Sequence, residues 1–131
     1  MAIYNLSHMQ TEYSGHLWPE FLSFETNPNF AKMSLFIPMS LHWFNGHFPD
    51  NPVLPGVVQT HWAATLSHKL FFPDRDFERI SNLKFKKPII PGSSLSLELQ
   101  ASQEKILFSY LDDGQTLSSG IIFFGLDKHT Q

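Results

Sequence analysis

The sequence predicts an α+β domain in which an antiparallel sheet wraps one long central helix, and three observations carry that reading. Gly56 to Leu70 holds no proline, has small residues at its middle, and closes on His68 and Lys69, cations that suit a helix C-terminus. Ser94 to Ala101 alternates cleanly, with Leu95, Leu97, Leu99 and Ala101 on one side and Ser94, Ser96, Glu98 and Gln100 on the other. Lys105 to Leu111 alternates through Ile106, Phe108 and Tyr110, and Asp112-Asp113-Gly114 then reads as a hairpin turn into a last strand, Thr116 to Leu126.

The rest of the chain fits around these elements. Met1 to Pro19 is polar and aperiodic, with Gly15 and Pro19 as breakers, and is expected to be an irregular N-terminal arm (residues 1–19). Glu20 to Thr26 is a short strand candidate, closed by Asn27-Pro28-Asn29. Phe30 to Ile37 places Ala31, Met33, Leu35 and Ile37 on one face, and Pro38 ends it. Leu41 to Asn45 is short and aromatic. Phe72 to Asp76 is a charged loop, Glu78 to Lys86 a strand, and Pro88 to Gly92 a turn. Neither a repeat nor a linker interrupts residues 1–131, so one domain is expected.

Composition bounds the function. With no cysteine, the chain has neither disulfides nor thiolate metal ligands, which fits a reducing, cytoplasmic setting. A formal charge of −3 gives no reason to expect a nucleic-acid partner. Met1 to Gln10 has no basic, then apolar, leader pattern, and no run approaches the ~20 apolar residues of a membrane span. The 13 phenylalanines favour a core of large rings or an apolar ligand channel.

The most informative stretch is Gly46-His47-Phe48-Pro49-Asp50-Asn51-Pro52-Val53-Leu54-Pro55-Gly56-Val57. Three prolines fix φ and remove backbone donors, so Phe48 to Pro55 is a rigid loop that delivers the chain to a helix N-terminus. There the first N–H groups, those of Gly56 and Val57, have no intrahelical acceptor and form an anion-stabilising end. Val57, Val58, Trp62, Ala63, Ala64 and Leu66 make the helix apolar on most faces, which predicts a buried helix. His47 leads into the loop and His61 lies about one turn into the helix. Gln59 points some 200° away from His61 and is expected to bond to backbone or to a partner subunit.

These residues resemble the hot-dog-fold dehydratases that act on 3-hydroxyacyl thioesters of acyl carrier protein. Gly46-His47-Phe48-Pro49, Pro52 and Pro55-Gly56-Val57 match that family's signature. A second block, Phe85-Lys86-Lys87-Pro88-Ile89-Ile90-Pro91-Gly92, follows the helix where the family has one. The resemblance covers roughly Ser40 to Leu126, and the Leu54 to Gln59 and His61-Trp62-Ala63 details look nearest to dehydratase-like proteins of aryl-polyene-type gene sets. It implies a homodimer with sites at its interface and an acyl carrier protein or coenzyme A thioester as substrate; no cofactor is expected, and histidines without carboxylate spacing give no reason to expect a metal. It also implies roles: His47 as base, the Val53 carbonyl orienting its other ring nitrogen, and the Gly56 and Val57 N–H groups holding the thioester oxygen. Higher assemblies of dimers are left open. Thioester hydrolysis and a non-catalytic acyl-binding subunit are the alternatives on the same fold.

One position departs from the family. Its helix Asp or Glu falls at His61. A carboxyl group in an apolar tunnel tends to stay protonated, whereas burial drives protons off imidazole, which even when unperturbed is only about a quarter protonated at pH 7. A neutral ring still donates one N–H hydrogen bond or positions a water, so a modified or weaker dehydratase is expected. His42 and His68 are expected at the surface or rim, and Trp43, Phe44 and Trp62 in the core or along an acyl channel. Arg75, Arg79, Lys84, Lys86 and Lys87 are expected to be mainly a solvated face, with docking of an acidic carrier as the second reading.

Overall fold

The computed structural model describes residues 4–45 and 50–126. Six strands form one antiparallel sheet: β1 (Glu20–Asn27), β2 (Phe30–Phe36), β3 (Phe77–Phe85), β4 (Ser94–Ser102), β5 (Lys105–Asp112) and β6 (Gln115–Phe124). Their order is β1-β2-β4-β5-β6-β3, so β1 and β3 are the edges. The long helix, α2 (Gly56–Phe71), enters the chain between β2 and β3 and packs on the sheet. None of the helices among the described residues is long and apolar enough to cross a membrane.

The alternation in the sequence becomes the core. Leu95, Leu97 and Leu99 point inward from β4, paired across from Leu35, Met33 and Ala31 of β2. Ile106, Phe108 and Tyr110 extend the same layer on β5. Trp62, Ala63 and Leu66 of α2, all fully buried, close it from above. Between β5 and β6 the chain turns at Asp113 and Gly114, both at positive φ, the conformation expected of such a hairpin.

Two expectations need correction. The N-terminal arm is not irregular throughout, since Leu6–Glu12 form helix α1. Asn5 caps it: its side chain accepts from the His8 N–H at 3.0 Å, and the Asn5 N–H donates to His8 Nδ1 at 3.2 Å. Seven residues with only Met9 buried leave too little periodicity to register as a helix, so the cap was its main signal. The second correction concerns α2, which is buried on one face only. Val57 is 75% exposed, and His61 and His68 are also exposed along that outer stripe.

Strand β3 is bent by a bulge. Ser81 pairs with Ile121 and Lys84 with Ser119, so Asn82 and Leu83 together face Gly120. Asn82 takes the left-handed φ of 54° that asparagine tolerates better than branched residues. Gly120 is bare because its neighbours close over it: a Cβ there would lie 2.7 Å from the Phe108 ring and 2.8 Å from Leu83 Cδ2. Gly120→Ala is therefore expected to cost about 1–3 kcal/mol by overpacking. Urea unfolding checks this, and an unchanged midpoint would mean that the rings give way freely.

Candidate functional site at the start of the long helix

The helix begins where the proline-stiffened loop ends. Pro55 is its N-cap, and the first amides bonded to it are Val58 N–H and Gln59 N–H, both donating to the Pro55 carbonyl at 3.0 and 3.2 Å. Gly56 and Val57 precede them, so their N–H groups have no acceptor within the helix and mark its positive end.

What fixes that end is a clamp on Leu54, which is 2% exposed. Its N–H donates to the Ile89 carbonyl at 2.7 Å, which ties the loop to the second block of the sequence. Its carbonyl accepts from Gln59 Nε2 at 3.1 Å. Gln59 is itself held from both ends: Ser118 Oγ donates to its Oε1 at 2.6 Å, and the Tyr110 hydroxyl donates to its backbone carbonyl at 2.7 Å. All of these side chains are buried, and burial pushes the Tyr110 phenol well above its usual range. Gln59 thus bonds to loop backbone, as its position on the helix suggested, and also reaches the sheet.

The second block closes over the helix start. A Cβ on Gly56 would lie 2.7 Å from Phe85 Cζ, so only glycine lets the ring approach this closely. Lys86 and Lys87 N–H groups both donate to the Leu117 carbonyl, at 2.8 and 3.1 Å, which anchors the block to β6. Val53, Leu54, Gly56, Gln59 and Phe85 to Pro88 line a cavity of about 430 Å³.

The predicted site residues are divided among these features. His47 lies outside the described residues. Val53 and Gly56 share the cavity beneath Phe85. Val57 and His61 instead line a groove of about 520 Å³ along the outer face of α2, together with Thr60, Ala64, Thr65, His68, Asp76, Phe77 and Ile80. The chain thus brings its predicted residues together in two pairs that line different cavities. His61 is exposed, and the indole of Trp18 lies 5.9 Å from its ring. Among the described residues, no group of three or more His, Asp or Glu is placed to hold a metal ion. Phe44 and Trp62 are buried, Trp43 is half-buried and His42 is exposed.

Sequence reasoning assigned no role to Ser118 or Trp18. Ser118 sits in an alternating strand where a serine reads as an outward residue, and Trp18 lies in the segment that looked irregular. A glutamine among apolar helix residues was the one available hint of a buried polar partner.

A six-stranded antiparallel sheet holding a loop-delivered helix end defines a hot-dog-fold protein. Residues 23–121 match the ApeI-like family, described as ApeI dehydratase, and the chain belongs to that family. It is similar to a component of the dehydratase heterocomplex ApeI:P from Xenorhabdus doucetiae, with 33% identity and a TM-score of 0.77 over 82% of this chain and 98% of that one. An uncharacterized protein from Erwinia carotovora subsp. atroseptica is similar too, at 34% identity and a TM-score of 0.71 over 82% and 95% of the two chains. Among curated proteins, the 3-hydroxyacyl-[acyl-carrier-protein] dehydratase FabZ of Variovorax paradoxus is 34% identical over 53% of each chain. That of Fusobacterium nucleatum is 31% identical over 66% of this chain and 70% of its own. The chain spans about half the length of curated relatives such as the first of these. Protein PH1136 from Pyrococcus horikoshii, 13% identical with a TM-score of 0.66, shares the fold alone.

Two outcomes test the clamp. Ser118→Ala leaves the buried Gln59 Oε1 without its donor and is expected to cost roughly 1–3 kcal/mol, read by denaturant unfolding. An unchanged stability would show that Gln59 does not depend on Ser118. The second outcome concerns pH. Because the folded state raises the Tyr110 pKa, its contribution is fully present below about 10 and is lost as pH rises past the unfolded value. Tyr110→Phe should flatten that alkaline decline; an identical slope in both proteins would assign the decline to other groups.

Proposed function

We propose that this protein removes water from 3-hydroxyacyl thioesters, giving trans-2-enoyl thioesters. The acyl group is carried by acyl carrier protein or coenzyme A, in fatty-acid-like or aryl-polyene-like biosynthesis in the cytoplasm. The observation that carries the reading is the clamped helix end: in a chain of this dehydratase family, the bonds on Leu54 hold the helix start whose Gly56 and Val57 amides would serve an enolate oxygen as donors. One such preorganised donor is worth roughly 3 kcal/mol of barrier.

In this reading His47 takes a proton from the α-carbon, and the electron pair is held as an enolate whose oxygen faces Gly56 and Val57. The pair then forms the Cα=Cβ bond as the 3-hydroxyl departs. The hydroxyl leaves as water, its second proton being the one His47 took from the α-carbon, passed on through His61 or a water that His61 positions. In the same reading the Val53 carbonyl would orient one ring nitrogen of His47 and leave the other to accept the proton.

The division of the predicted residues between two cavities supports a site completed by a second chain. Val53 and Gly56 open on one side of the helix start, and Val57 and His61 on the other. Edge strand β3 exposes Phe77, Leu83 and Phe85, apolar rings and branches that a dimer would cover. A homodimer is proposed. The relative from Xenorhabdus doucetiae belongs to a heterocomplex, so a different hot-dog chain is the alternative partner.

The test is enoyl formation from a 3-hydroxyacyl carrier-protein thioester by the purified protein. His47→Ala should lower the rate by on the order of 10²–10⁴. Release of free thiol without enoyl product would make the protein a thioesterase, and full activity surviving His47→Ala would assign the activity to another component. His61→Glu should lower turnover if the imidazole participates; equal or higher turnover would make it a bystander.

A further inference from the structure

The helix imidazole and the N-terminal segment meet in space. His61 stands where the wider dehydratase resemblance puts a carboxylate, and residues 4–22 precede the matched segment, residues 23–121. The N-terminal segment nonetheless folds onto α2 and lays Trp18 beside His61, with ring centroids 5.9 Å apart and planes inclined at 36°.

Trp18 is held more firmly than an arm residue needs to be. The carbonyl of Leu17, just before it, accepts from two indoles, Trp62 Nε1 at 2.9 Å and Trp43 Nε1 at 3.0 Å. Pro19, just after it, is buried and restricts the backbone of both residues. The Trp18 ring packs on Tyr13 at 4.5 Å and stacks on the fully buried Trp62 at 6.2 Å and 22°. One turn earlier, Glu12 of α1 pairs with Lys69 of α2 at 2.7 Å. That hydrogen-bonded pairing holds the Glu12 carboxyl below its usual range.

His61 is the opposite case. It is exposed, and the indole of Trp18 is the aromatic ring beside it. An exposed imidazole on a helix samples several rotamers, and a donor must keep one of them to meet a substrate hydroxyl. Trp18 is placed to limit that freedom: its ring stands on one side of the imidazole, and His61 lines the groove it shares with Val57 and Thr60.

We propose that Trp18 is a positioning residue for His61: the N-terminal segment sets the rotamer of the helix imidazole, a task the matched part of the chain leaves open. This rests on the role given to His61 above. The same arrangement would let an imidazole, which has fewer hydrogen-bonding directions than a carboxylate, be aimed at the place the carboxylate occupies in the family.

The experiment is a double-mutant cycle with a readout independent of turnover. Trp18→Ala is expected to lower kcat about two- to ten-fold with KM unchanged, the range an aromatic contact supplies. Trp18→Phe should restore most of it, and in a His61→Ala background Trp18→Ala should have no further effect. In parallel, the His61 ring Cε1–H resonance should move and broaden in Trp18→Ala but stay sharp in Trp18→Phe. Thermal melting identifies any variant that has lost the fold, and Trp18→Leu, which keeps apolar bulk without a flat ring, then takes the place of the alanine variant. Additive losses in the cycle, or a His61 resonance identical in wild type and the folded Trp18 variant, would overturn the proposal. A wild type with no dehydratase activity sinks the functional reading instead and leaves the resonance to decide whether Trp18 orients the ring.

Discussion

The structure around the helix end depends on one residue's backbone. Leu54 gives its N–H to Ile89 and receives the side-chain amide of Gln59 on its carbonyl. The first bond joins two sequence blocks that are more than thirty residues apart, and the second joins the loop to the helix it introduces. Both lie out of water, where an unmade partner would cost the full desolvation of the group left behind. The prolines on either side cannot supply backbone donors of their own, so the bonds that Leu54 makes matter the more. The orientation of the Gly56 and Val57 amides follows from it.

Gln59 shows why a polar side chain is kept inside this core. It is 3% exposed, yet both ends of its amide are satisfied: the nitrogen on Leu54 and the oxygen by Ser118 of β6. The Tyr110 hydroxyl adds a third tie from β5 to the same residue's carbonyl. Loop, helix and two strands are thereby fixed at a single point. A leucine of similar size would fill the space but would specify no position for the loop.

Much of this was legible in the sequence, for reasons that separate what was seen from what was not. Strict alternation in β4 and β5 and the proline-to-helix switch at Pro55 are local patterns, and they placed those elements within a residue or two. Helix α1 was missed because seven residues with one buried side chain carry almost no periodicity. Burial of Val57 was overestimated because an apolar helix reads the same whether its outer face meets sheet, solvent or another chain. Trp18 lies 43 positions from His61 and Ser118 lies 59 positions from Gln59, and contacts of that separation leave no trace in a local pattern.

In the proposed reaction, an imidazole in place of a carboxylate changes what the surroundings must do. A carboxylic acid keeps its proton when it is buried, so an apolar wall alone can maintain it as a donor. For an imidazole the same wall works against the protonated form, and the useful environment is one that water can reach. The outer face of α2 is such a place, an open groove with Thr60, Thr65 and Asp76 among its lining residues. Openness, however, gives up the confinement that orients a buried side chain. In that proposal orientation comes from a rigid neighbour, the Trp18 indole, set between a Leu17 carbonyl that accepts two hydrogen bonds and the buried Pro19.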